Sequence, residues 1–267
     1  MQDTTKPKPK RSIWQIALTA VVFIAAAGLA RYCTSNMIEG GKRAFTSAEL
    51  ETELDRVADT DPVFRTFRDG FPQDWQAFRS GLGADYKTTR SLAELKQKSA
   101  TRVRAFMFRR VAWTTAAPPA ELNAALGAER AFIEQLQRDN VQYCATFGMT
   151  GLRGDEALSQ QATQLVSQVG VAKLVATRAG RDRPVAYGPM TEQDAQALFT
   201  GMGSGGASPD IVQLMANGGA DGTPEQLCTG SVALYRSMDA MPGEQAARVF
   251  GAILTNVARA QIIPTTM

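Results

Sequence analysis

Histidine is absent from the 267 residues, and only three cysteines occur, Cys33, Cys144 and Cys228. Without imidazole there is no Ser-His-Asp or Cys-His relay, no histidine-ligated metal and no side chain that switches near neutrality. Nor does the sequence contain a paired CxxC, HExxH, GxSxG, a phosphate-binding Walker loop or an acidic calcium loop. No cofactor and no metal site are therefore expected. Carboxylate chemistry, a sulfur–sulfur bond and binding remain.

Glu129 is the carboxylate to weigh, and it is the sole catalytic candidate. It projects onto a helical stripe of Leu122, Ala125, Phe132, Ile133 and Leu136. A carboxyl group enclosed by apolar side chains can serve as a general acid of the kind glycan hydrolysis needs. Arg110 interrupts a second stripe, Val103, Phe106 and Met107. Folding the two helices back through Ala116-Ala117-Pro118 brings Glu129 level with Arg104. An ion pair between them is therefore the simpler expectation, and spacing assigns no second carboxylate.

Cys144 and Cys228 stand 84 positions apart. Cys144 accompanies Phe132, Ile133, Leu136, Tyr143 and Phe147; Cys228 accompanies Leu227, Ser231, Leu234, Tyr235 and Met238. Both point inward, as a bond between packed helices requires. In an oxidising compartment they can pair, and closing so long a loop would stabilise by about 4 kcal/mol. Two buried thiols are the alternative, and Cys33 is left over.

Two further patterns invite a binding role. Gly201, Gly203, Ser204, Gly205 and Gly206 form a GxGxxG-like run, but a dinucleotide fingerprint needs a strand before it and a helix after it. Helical sequence precedes the run, so it reads as a mobile helix–helix connection and a candidate binding loop. Phe64, Phe67, Phe71, Trp75 and Phe78 alternate with Arg65, Arg68 and Arg79, as on a surface for nucleic acid or an anionic glycan. Their i, i+3, i+4 spacing, with Asp61, Asp69 and Asp74 cancelling the charge, fits a core-facing stripe instead.

The elements that must position these residues are helices. Asp61-Pro62, Ser208-Pro209 and Thr223-Pro224 each place a capping side chain before a proline suited to the first helical turn. Thr46 with Glu49 makes a capping box. Phe71-Pro72, Ser91, Asp155, Thr191 and Pro242 open further helices. Apolar spacing agrees, with Ala246, Val249, Phe250, Ile253, Leu254 and Val257 on one face of the last helix. Only Pro184-Val185-Ala186-Tyr187 has extended character, too short for a sheet. The fold class is all-α, a single N-terminal transmembrane helix followed by a multi-helix globular domain.

That transmembrane helix is Ile13–Ala30, eighteen residues without charge or proline, long enough to cross the hydrocarbon of a bilayer. Trp14 and Tyr32 bracket it as membrane-interface rings. Lys6, Lys8, Lys10 and Arg11 precede it and, set against Asp3, account for the net charge of +3; the body is neutral, which disfavours nucleic acid as a partner. The organisation read from this is a cytoplasmic basic tail (1–12), a transmembrane signal-anchor (13–32), a tether (33–45) and one helical periplasmic domain (46–267). A cleaved signal peptide, giving a secreted helical protein, is the alternative. Ala26 and Ala30 have small-xxx-small spacing, which would suit self-association as a homo-oligomer.

The expected protein is single-pass in a bacterial inner membrane, non-enzymatic, held in the lipid bilayer through Ile13–Ala30. Its periplasmic domain would bind or scaffold another envelope protein. The alternative is a carboxylate-dependent envelope glycan hydrolase built on Glu129.

Overall fold

Helix starts follow the capping chemistry. In the computed structural model, which describes residues 47–89, 92–152 and 156–262, the Asp61 carboxylate accepts from Val63 N at 2.8 Å and Phe64 N at 2.9 Å. Thr191 and Asp194 form a reciprocal capping box, as do Thr223 and Gln226. Ser208 accepts from Ile211 N. Each such cap contributes about 1 kcal/mol. Ile13–Ala30, with Trp14, Tyr32 and Cys33, lies outside the described residues, as do Thr46, Ser91 and Asp155. Among the described residues no helix is long and apolar enough to cross a membrane.

Twelve helices and no strand occur among the described residues. They are α1 (Ser47–Thr60), α2 (Pro62–Gly70), α3 (Pro72–Thr88), α4 (Leu92–Arg109), α5 (Val111–Thr115) and α6 (Pro119–Asp139). There follow α7 (Val141–Thr150), α8 (Gln160–Asp182), α9 (Glu192–Ser204), α10 (Pro209–Ala216), α11 (Pro224–Asp239) and α12 (Gly243–Ile262). The multi-helix domain is thus as the periodicity implied.

One element boundary differs from the sequence expectation. The residues from Phe132 to Phe147 fall on two helices, because Asn140 adopts an extended conformation (φ −163°, ψ 107°) and its side chain caps α7 by accepting from Tyr143 N at 3.1 Å. A short amide side chain satisfies backbone groups outside a helix better than within one. The long helix expected from Asp155 begins instead at Gln160, where Ser159 accepts from Ala162 N at 3.1 Å.

Apolar side chains gather in two cores. The smaller joins α1 to α4 around Phe64, Phe67, Phe71, Trp75, Phe78 and Phe106, all buried. The Phe67 and Phe106 rings are 4.6 Å apart and Phe64 meets Trp75 edge-on at 5.7 Å, so the aromatic run is packing rather than a binding platform. The larger core is built by α6, α7, α8, α9, α11 and α12 around Phe132, Phe147, Tyr235 and Phe250. Helix α8 serves both: Leu174 enters the smaller core, whereas Ala162, Val166, Val169 and Ala176 enter the larger. Glycine makes this possible at Gly180, where an added Cβ would lie 1.8 Å from the Trp113 carbonyl oxygen.

Candidate functional site

Glu129 is fully enclosed and its charge partner is Lys173, not Arg104. The expected hairpin fails because α5 intervenes after α4, and α6 packs most extensively against α8. Lys173 is itself 2% exposed, so both charges are out of water. The Tyr235 hydroxyl from α11 adjoins the same carboxylate. The Lys173 ammonium and the Tyr235 hydroxyl both bond to the carboxylate, so charge attraction and hydrogen bonding hold the pair together. Burial pushes the Glu129 carboxyl above its ordinary value, with Lys173 and Tyr235 opposing the shift. Burial, with Glu129 beside it, raises the Tyr235 hydroxyl well above 10.0. A polar seam continues from here: the Thr177 hydroxyl donates to the Lys173 carbonyl at 2.7 Å and meets the Thr114 hydroxyl at 2.8 Å. With no route to solvent for its carboxyl, Glu129 is disposed as a structural charge.

Arg110 leaves the core stripe sideways. Its guanidinium reaches Asp74 at 3.1 Å and lies 4.2 Å from the centre of the Trp113 ring. Lys173 escaped the sequence reading, although the signal was there: it is the only charge between Ala162 and Thr177.

Cys144 on α7 and Cys228 on α11 lie at disulfide distance, with Cα atoms 5.2 Å apart and both side chains buried. The glycine-rich run does not form the loop expected of it. Gly201, Gly203 and Ser204 complete the last turn of α9, leaving Gly205 and Gly206 as the turn, with Gly206 at φ 103°. An added Cβ at Gly201 would lie 2.2 Å from Ser237 Oγ, so this glycine lets α9 and α11 approach closely.

A cleft of about 630 Å³ opens where the segment after α8 crosses α12. One wall is Val185 to Met190; the other is the Ala247, Gly251 and Ala252 face of α12; Thr115 and Ala116 form an end. Local bonds fix the first wall in place. Val185 N donates to Ala116 O at 2.7 Å, and the Tyr187 hydroxyl donates to Ala117 O at 2.8 Å. Burial, reinforced by the charges of Glu244 and Glu121, pushes that hydroxyl up to about 12, so it remains a donor at neutral pH. At the other end Thr191 begins α9, and its capping partner Asp194 also accepts from Arg248 at 2.7 and 2.8 Å and from Gln245 at 3.0 Å. These bonds, Arg248 first, hold the Asp194 carboxyl well below its ordinary 3.8.

Arg248 is the charged residue on the cleft wall, and Asp194 balances it. With a volume in the range of ligand sites and small residues along one side, the cleft can receive a chain of moderate width. Among the described residues no group of three or more metal-ligating side chains gathers. No protein-family model, curated protein or solved structure matches the chain.

Proposed function

We propose that the chain is a membrane-anchored, non-enzymatic binding protein of the bacterial envelope, with its basic tail cytoplasmic and its helical domain periplasmic. In this reading Ile13–Ala30 holds it in the inner membrane, and the domain docks an envelope protein. The observation that carries it is the buried Cys144 and Cys228 pair at bonding distance between α7 and α11. Such a pair becomes a disulfide where the compartment is oxidising and stays reduced in the cytosol. The neutral body and the cleft between Val185–Met190 and α12 favour binding over catalysis. The hydrolase alternative gains nothing from Glu129, because a general acid must meet its substrate and this carboxyl is enclosed against Lys173.

Two measurements on the full chain test the reading. A reporter fused at the carboxyl end and active only outside the cytoplasm is expected to be active; activity confined to the cytoplasm refutes the address. Non-reducing peptide mapping of the cell-derived protein is expected to recover Cys144 joined to Cys228. Two freely alkylated thiols refute the oxidising compartment.

A further inference from the structure

We infer that the cleft between Val185–Met190 and α12 receives an extended, uncharged peptide segment of another protein; this deepens the binding role proposed above. Three observations select that occupant. The first is backbone demand. Among the described residues, the N–H groups of Ala186, Tyr187, Gly188 and Met190 make no backbone hydrogen bond, although Val185 and Tyr187 pin the segment to Ala116 and Ala117. A pinned segment with unspent donors can pair with an incoming main chain, as in strand addition.

The second is charge. Arg248 is already matched by Asp194, and the chain from Pro184 to Tyr235 contains no lysine or arginine. A charged occupant would lose water and find no unmatched charge among the lining residues; Glu244 and Glu121, whose charges reach the Tyr187 hydroxyl, stand outside that lining. The third is shape. The opposite wall carries Ala247, Gly251 and Ala252, whose short side chains leave width for a backbone with small or flat side chains. A lipid chain would cover the free N–H groups without bonding them, at about 1–3 kcal/mol each. A sugar would find Tyr187 as the one aromatic ring among the lining residues.

Gly188 supplies a clean probe, because an added Cβ there meets nothing within 4 Å. Gly188→Phe therefore leaves folding intact and fills the opening, and Ala252→Phe narrows it from the other wall. Phage-displayed short peptides are selected on the full chain in detergent micelles, resynthesised and titrated by fluorescence anisotropy. The selected sequences are expected to be poor in Asp, Glu, Lys and Arg. Their affinity should fall by about tenfold or more in Gly188→Phe, about 1.4 kcal/mol, while the thermal midpoint stays at that of the parent. Ala252→Phe should act in the same direction. Amides of Ala186, Tyr187 and Gly188 should exchange more slowly with peptide bound. The inference is overturned if no peptide is enriched, if charged sequences dominate, or if binding ignores Gly188→Phe. Capture by purified chain does not depend on membrane address, so a cytoplasmic reporter result would sink the address and leave this test standing.

Discussion

Breaking the buried pair from either side should produce opposite pH responses. Glu129 and Lys173 are 0% and 2% exposed, which sets the scale. An exposed pair is worth about 0–1 kcal/mol, whereas removing one member of an enclosed pair costs about 3–5 kcal/mol. For a domain of this size that is a fall of about 6–20 °C in melting temperature. Glu129→Gln leaves the Lys173 ammonium without its anion. An enclosed cation without a counter-charge is less stable than the same amine in water, so stability is lost as pH falls and regained as pH rises. Lys173→Met leaves the Glu129 carboxylate alone, and burial already raises its pKa above the ordinary 4.5. In that variant stability is fullest below the unfolded pKa and is lost as pH rises through the folded one. Each slope is bounded at about 1.4 kcal/mol per pH unit, one proton's worth. Urea unfolding of both variants and the parent between mildly acidic and mildly basic pH gives the two slopes. Parallel slopes, or a single-variant cost below about 1 kcal/mol, would refute the claim that two opposite charges are enclosed together.

Gly180→Ala should cost about 3 kcal/mol, since the new methyl meets the Trp113 carbonyl and the Ala117 backbone nitrogen, neither of which can swing aside. Gly170→Ala, facing only the Val63 side chain at 3.1 Å, should cost less, and thermal melts compare them directly. Asp194→Asn should cost about 2–3 kcal/mol at neutral pH by weakening the charge-assisted bonds to Arg248. Because the Asp194 pKa is lowered, its contribution is complete above 3.8 and lost as pH falls through the folded value. The difference between parent and variant in denaturant titrations should therefore shrink on acidification.

Local chemistry was legible where it was self-contained. Asp61-Pro62 and Thr223-Pro224 announce helix starts because cap and proline act within one turn. Phe64 to Phe78 announced a buried face through spacing, and Cys144 and Cys228 announced inward sulfurs that the fold brings together. Relations across the chain were not legible. Lys173 on an otherwise apolar face has no sequence-near anion, so its partnership with Glu129 exists only once α6 lies on α8. The cleft combines residues near positions 115, 187 and 251, which no spacing rule connects. The glycine run suggested looseness, yet Gly201 is demanded by the nearness of Ser237, a tertiary fact.

Helix α8 gives Leu174 to one hydrophobic nucleus and Val169 and Ala176 to the other, and it carries Lys173 along the join. Neither nucleus keeps a complete perimeter once this rod departs. The amino-terminal quartet of helices and the carboxy-terminal assembly therefore share one fate: heat or a badly placed methyl group on α8 dissolves both in a single event, and excising either half would leave the other with greasy flanks exposed to water.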